Sequence, residues 1–286
     1  MNSTATGKHR AAVGRSTDPR KDAIALGIVG GGQLAKMTAC AAAQLGCKVV
    51  ILERQREFPA GSVAARTLIG DWNDPDSLLE LAALADVVTL ENEFVDAGAL
   101  AVLEQRGHIL MPSAATLRLI QDKLVQKRTL ADAGLPVPRM RAVERVEDVA
   151  ALAREWGWPL LLKARRNAYD GKGNATLRMP ADLEVAWNRL GGASGNPLFA
   201  ERFCAFTHEL AVIVTRALDG EAVTYPVVET VQRNHICHVV RAPAPVAPPI
   251  AERAADLARR AVEAVGAVGS FGVELFLMED GGLLIN

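Results

Sequence analysis

The stretch Pro159–Met179, PLLLKARRNAYDGKGNATLRM, decides how the rest of the chain is read. PLLLKARR has the apolar run of a buried strand, yet Lys163 sits inside it. NATLRM reads as the returning strand. Between them, NAYDGKGNA carries two charges, flexible glycines and one tyrosine, with no apolar face. An ordinary surface hairpin explains Asp170-Gly171 but not the strand lysine before it. A buried ammonium needs an anionic partner, unless the lysine snorkels to the surface. The other reading is a ligand bearing phosphate. Gly171 and Gly173 allow close backbone approach, and Lys172 adds charge.

Working outward, the 286 residues are half hydrophobic, with a formal net charge of −1. That is enough chain for two domains and a sizeable core. The charge balance argues against a nucleic-acid footprint or a basic membrane patch. No apolar run reaches the length of about 18 residues that spans a bilayer. The four cysteines, Cys40, Cys47, Cys204 and Cys237, show no C-x-x-C spacing. They read as buried thiols of a reducing cytoplasm rather than as a zinc or disulfide framework. Residues 1–23 are polar and basic without an apolar core segment, which excludes a secretory signal and predicts a disordered extension.

From Ile24 the pattern is β-α-β. AIALGIVG is a strand, LAKMTACAAAQLG a helix stopped by Gly46, and CKVVILER a second strand. An α/β fold with a parallel, Rossmann-like sheet over residues 24–112 follows. DSLLELAALAD reads as a helix, and VVTLENEF and HILMPS as strands. A long helix is expected from Ser113 to Ala133, stopped by Gly134 and Pro136. LPVPRM reads as a stiff linker. VEDVAALAREWGW and DLEVAWNRLGG are helices, with Trp156 and Trp158 as core or interface residues. Beyond Leu198 come several strands, with Asp219-Gly220 as a hairpin turn. A helix (IAERAADLARRAVEAVG) and two apolar strands around Glu279-Asp280-Gly281-Gly282 complete the pattern. The second domain is taken as residues 113–286. The apolar end at Asn286 leads us to expect that the natural protein continues.

Gly30-Gly31-Gly32-Gln33-Leu34-Ala35 fits G-x-G-x-x-[GA] between strand and helix, and Glu53 ends the next strand. Alone this predicts a dinucleotide site. Two other readings stay open: a tight strand–helix turn, or helix amides that hold some other anion. Glu201 ends a strand, with Arg202-Phe203-Cys204 behind it and Glu209 eight residues on. These acids suit adenine and ribose donors, or are solvated charges at a sheet edge. Glu274, flanked by apolar residues in SFGVELFL, reads as a buried carboxylate that needs a partner or a metal. A hairpin would bring it beside Asn286, as in a magnesium site for nucleotide phosphates. The alternative is a buried salt bridge. His235 and His238 point to opposite faces of a strand, which argues against a metal there.

The ordered set resembles the ATP-grasp superfamily. It comprises the strand lysine, Tyr-Asp-Gly-Lys-Gly, Glu-x-Phe, Glu-Leu-Ala-Val, and Val-Glu-Leu-Phe followed by Leu-Leu-Ile-Asn. Within that superfamily it resembles the 5-(carboxyamino)imidazole ribonucleotide synthase family from Ile24 to Asn286. Gly30–Leu34, Thr89–Phe94, Gln121–Lys123, Tyr225–Glu229 and Arg241–Val246 carry the finer likeness. The resemblance implies an ATP-grasp fold behind a pre-ATP-grasp domain, with ATP, magnesium and bicarbonate used to carboxylate 5-aminoimidazole ribonucleotide in purine synthesis. It implies Lys123 and Lys163 on ATP phosphates, and Tyr169, Asp170, Gly171, Lys172 and Gly173 in a lid over phosphate and substrate. It also implies Glu201, Arg202, Phe203 and Cys204 on adenine, Glu209 on ribose, and Gln232 and Asn286 in the ATP site. Gly32, Gln33, Leu34 and Glu91 fall to the ribonucleotide, and Glu274 to magnesium. A cytoplasmic homodimer passing its product to a separate mutase is implied as well.

The chain departs from the family pattern in places. Asn174 stands where the family has Gln, and Leu90-Glu91-Asn92-Glu93 where it has Tyr-Glu-Phe-Glu. Gln232 stands where it has His. The family's second metal-binding Glu, its substrate-phosphate segment and its small third domain are not in this sequence. Three other readings are kept. One is a formate-dependent glycinamide ribonucleotide transformylase of the same superfamily. Another is an NAD-dependent oxidoreductase built on the first glycine motif, which leaves Lys163 and Glu274 unexplained. The third is a non-catalytic nucleotide-binding remnant.

Overall fold

Alternating short strands and alanine-rich helices build the first part of the chain, and long antiparallel strands the second. A computed structural model describes residues 23–167, 173–233 and 236–286, and the chain divides after Glu91 into two compact units. The predicted lid residues Tyr169, Asp170, Gly171 and Lys172, and the predicted non-ligand His235, lie outside the described residues.

The first unit contains β1 (Ala25–Val29), α1 (Gln33–Gln44), β2 (Lys48–Glu53), β3 (Arg66–Ile69), α2 (Pro75–Ala82) and β4 (Val87–Leu90). Its strands run parallel in the order β3-β2-β1-β4. The near-continuous apolar runs of β1 and β2 are what such a sheet requires, because helices cover both faces. Ala35, Ala39 and Ala42 lie on one face of α1 and pack on Ile28, Val49 and Ile51. Strand β3 carries only one buried residue, Leu68, so its sequence gives little strand signal.

The second unit begins with α3 (Ala97–Gln105), β5 (Leu110–Met111), α4 (Ala114–Gln121) and α5 (Lys123–Asp132). The single helix expected over 113–133 is two. Asp122 takes an extended backbone, with φ −100° and ψ 100°. Its carboxylate accepts from the amides of Leu124 and Val125 and from Arg165. These bonds replace the helical ones and start a new helix at Lys123. Helix α3 begins at an Asp96 cap that accepts from the Ala99 amide.

Next come β6 (Met140–Val143), α6 (Val146–Trp156), β7 (Leu160–Ala164), β8 (Asn174–Leu177), α7 (Asp182–Arg189) and β9 (Leu198–Arg202). The supposed linker LPVPRM therefore ends inside a strand. The antiparallel order is β6-β9-β7-β8. Leu160, Leu162 and Ala164 face a core that includes Leu152 and Trp187, with Trp156 and Trp158 packed partly against it.

The rest is β10 (Phe206–Arg216), β11 (Ala222–Thr224), β12 (Val228–Arg233), β13 (Ile236–Arg241), α8 (Pro248–Ala264), β14 (Gly269–Met278) and β15 (Leu283–Ile285). These strands form a sheet ordered β13-β12-β10-β14-β15, with β11 paired to β10 through the predicted Asp219-Gly220 turn. Leu210, Val212 and Val214 meet Ala254, Ala258 and Ala261 of α8. Period-2 alternation sends the intervening residues to the other face, and that face carries the candidate site. Among the described residues, no helix is long and apolar enough to cross a membrane.

Candidate active site

In the second unit the pleat of one sheet assembles a charge cluster. Lys163 on β7 pairs with Phe199 on β9, and Glu201 lies two residues further along the same face. The Lys163 ammonium donates to Glu201 Oε1 at 2.8 Å. Lys127, one turn after Lys123 on α5, brings its ammonium to 2.9 Å from Glu201 Oε2. The Glu201 side chain is 0 % exposed, Lys127 5 % and Lys163 17 %. Burial pushes the Glu201 carboxyl up, but Lys163 and Lys127 overcome this and hold it below its ordinary value. Burial pulls Lys127 down, against the attraction of Glu201. Two ammoniums share one carboxylate, so the cluster keeps a surplus positive charge.

That surplus opens on a cavity of about 510 Å³, lined by Lys123, Lys127, Lys163, Gly173, Glu274 and Asn286 among others. Lys123 sits at the first position of α5, where the break at Asp122 places it. Its amide donates to the Arg165 carbonyl at 2.8 Å. Asp122 is itself tied to Arg165 at 2.6 Å.

Across the other sheet, Glu209 pairs with Phe276 and Ala211 with Glu274, so the two acids are diagonal neighbours on one face. Thr230 and Gln232 donate to Glu209 Oε1 at 3.1 and 3.0 Å. Burial, and then the charge of Glu274, push the Glu209 carboxyl up against those two bonds. The Asn286 amide donates to Glu274 Oε2 at 3.2 Å, as the hairpin reading expected. Glu274 itself is exposed, not buried. Alternation turns Val273 and Leu275 into the core and Glu274 away from it, which flanking residues alone do not reveal.

Glu201 is not a solvated edge charge, and its carboxylate is fully engaged by lysines. Arg202 and Phe203 are exposed behind it. Burial, and the charge of Glu201, push the Cys204 thiol up. The expectation of buried thiols fails: Cys40 and Cys237 are exposed, Cys47 and Cys204 intermediate. Lys127 is the member of this charge cluster that sequence reading missed. Its signal was the i, i+4 spacing from Lys123.

In the first unit the glycine turn is closed by the protein's own acids. The Gly31 amide donates to Glu53 Oε2 at 2.8 Å. The Gly32 amide donates to Glu91 Oε2 at 2.8 Å, and that of Ala35 to Glu91 Oε1 at 3.2 Å. A side chain at Gly32 would strike the Glu91 carboxylate, and one at Gly31 the Phe58 ring. The amides that would hold a dinucleotide pyrophosphate are therefore occupied. Gln33 and Leu34 are exposed beside them.

Comparison with known proteins matches residues 24–121 to a ribonucleotide synthetase pre-ATP-grasp domain and residues 128–286 to an ATP-grasp domain. A phosphoribosylaminoimidazole carboxylase of Ogataea methanolica is 41 % identical over 93 % of this chain, which spans about half (49 %) of that relative. The N5-carboxyaminoimidazole ribonucleotide synthase of Bacillus subtilis is 35 % identical over 91 % of this chain and 68 % of its own length. A crystal structure of N5-carboxyaminoimidazole synthase from Aspergillus clavatus, in complex with ADP and 5-aminoimidazole ribonucleotide, superposes with a TM-score of 0.85. It is 35 % identical, with 92 % of this chain and 69 % of that one covered.

Proposed function

Since the chain belongs to the N5-carboxyaminoimidazole ribonucleotide synthase family of ATP-grasp proteins, we propose that it binds ATP in the cavity of its second unit. It spends that ATP on activating bicarbonate for carboxylation of 5-aminoimidazole ribonucleotide. The observation that carries this reading is the surplus positive charge of Lys127, Glu201 and Lys163, opening with Lys123 on one cavity.

Bicarbonate is a poor electrophile. Its oxygen attacks the γ-phosphorus of ATP, giving carboxyphosphate and ADP. Carboxyphosphate breaks to carbon dioxide and phosphate. The exocyclic amine of the ribonucleotide then adds to carbon dioxide and loses a proton, giving the carbamate. Charge accumulates on the transferring phosphoryl group, and Lys163 and Lys123 neutralise it. Because the lysines engage the Glu201 carboxylate, adenine recognition falls to the backbone of Arg202, Phe203 and Cys204. Glu209, oriented by Thr230 and Gln232, takes the ribose hydroxyls.

Magnesium fits the facing acids. Glu209 and Glu274 repel each other across the pleat, and a cation relieves that repulsion. Among the described residues no group of three acids, histidines or cysteines forms a metal cluster. Glu274 and the Asn286 amide oxygen would therefore hold the ion together with phosphate oxygens. Bound there, it would neutralise the polyphosphate. Gly32, Gln33, Leu34 and Glu91 are assigned to the ribonucleotide. Tyr169, Asp170, Gly171 and Lys172 with Gly173 are assigned to covering phosphate and excluding water, on sequence grounds. A cytoplasmic homodimer that passes the carbamate to a mutase completes the proposal.

The test is phosphate release from magnesium-ATP by this chain with bicarbonate, with and without 5-aminoimidazole ribonucleotide. Release that requires the ribonucleotide is expected. Release only with formate and glycinamide ribonucleotide would replace this reading with the transformylase. Nucleotide binding without release under either condition would reduce the 286-residue chain to a nucleotide-binding module.

A further inference from the structure

Lys127 is nearly sealed from solvent, and the phosphoryl transfer above gives its ammonium no contact with phosphate. Its ammonium forms an ion pair with Glu201 Oε2 at 2.9 Å. The other oxygen of the same carboxylate accepts from Lys163 at 2.8 Å. Lys163 is the more exposed of the two lysines, at 17 % against 5 %.

We propose that Lys127 is a positioning residue: it keeps Glu201 neutralised, so that Lys163 can move its ammonium from Glu201 Oε1 to a nucleoside polyphosphate in the cavity. This rests on the nucleotide reading above. The physical reason is the sealed position of Glu201. Removing the sole partner of a fully buried carboxylate strands a charge in a low-dielectric site. If Lys163 were that sole partner, phosphate would have to compete with Glu201 for its ammonium. With Lys127 fixed on the second oxygen, Lys163 departs without stranding the acid. One lysine supplies a constant counter-charge and the other a transferable one. Helical spacing from Lys123 brings Lys127 under the sheet, and the strand pleat brings Lys163 beside Glu201.

The test is calorimetric titration of magnesium-ADP into the unaltered chain, Lys127→Met, Lys127→Arg, Glu201→Gln, and Lys127→Met combined with Glu201→Gln. Lys127→Met should weaken ADP binding by about thirtyfold or more. Lys127→Arg should restore most of that loss. In the Glu201→Gln background, removing Lys127 should change affinity by less than about threefold, since no carboxylate remains to strand. A loss of similar size in both backgrounds would mean that Lys127 touches phosphate directly, and would overturn the proposal. Normal ADP binding by Lys127→Met would overturn it while leaving the nucleotide reading intact. Should Lys127→Met fail to fold, the comparison within the Glu201→Gln background carries the test. An unaltered chain that binds no ADP would remove the nucleotide reading, and this inference with it.

Discussion

The glycine turn of the first unit and the lysine cavity of the second both neutralise charge internally, but with opposite results. At Gly31 and Gly32 the donors are amides, and Glu53 and Glu91 occupy them. No surplus positive potential is left for a pyrophosphate. At Lys127 and Lys163 the donors outnumber the acceptor, and one carboxylate cannot satisfy both. What remains is positive charge next to an open cavity. A phosphate motif is thus defined less by its glycines or lysines than by whether the fold has already supplied their counter-charge.

Four substitutions test that contrast. The largest effect is expected for Glu201→Ala, which leaves the buried Lys127 ammonium and the partly buried Lys163 ammonium without their shared counter-charge. It should lower unfolding free energy by about 3–5 kcal/mol, read from urea denaturation; a near-neutral result would mean that the lysines find another counter-charge. Lys163→Ala comes next. It should weaken magnesium-ADP binding by about 2 kcal/mol or more, with a smaller effect on stability because Lys127 still pairs Glu201. Unchanged affinity would remove Lys163 from the phosphate site.

On the other side of the comparison, Glu91→Ala frees the amides of Gly32 and Ala35. A loss of about 1–2 kcal/mol is expected, as for other helix caps, with faster hydrogen exchange at those two amides. If exchange there is unaltered, the turn is not held by Glu91. The smallest effect concerns pH. Burial pushes Asp122 up, but its bonds to Arg165 and the Val125 amide, with the charges of Arg165 and Arg166, hold it below its ordinary 3.8. A depressed carboxyl stabilises the fold above its unfolded pKa, and that contribution disappears as pH falls through the folded value. Asp122→Asn should therefore be less stable at neutral pH and lose less stability on acidification below about pH 4. Parallel acid limbs for the two proteins would show that the Asp122–Arg165 pair does not supply the difference.

Much of this architecture was legible from residue pattern. The apolar runs of β1, β2 and β7 and the alanine face of α1 are strong periodic signals. The Gly46 and Asp219-Gly220 turns have local chemistry that needs no distant partner. Other features depended on tertiary contacts or carried too weak a local signal. Asp122 looks like a mid-helix polar residue until Arg165 is brought to it. Glu274 looks buried because its neighbours are apolar, until the sheet shows that Val273 and Leu275 face the core and Glu274 does not. Strand β3 buries only Leu68 and so shows little strand pattern, and helix α3 is a short apolar run, AGALAVLEQ, whose buried Ala97, Ala99, Leu100 and Leu103 do not stand out from their neighbours.

Residue pattern alone specifies the α/β elements, the order of lysines, glycines and acids along the chain, and the family to which that order belongs. Those are local or ordinal properties, and a one-dimensional pattern can hold them. Which charges neutralise one another is set by the folded arrangement. It gave Glu53 and Glu91 to the glycine turn, and gave Glu201 to two lysines at once, one of them unremarked in the sequence. Pairing depends on distance and burial together. Strand register and helix packing set both, and neither can be read along the chain.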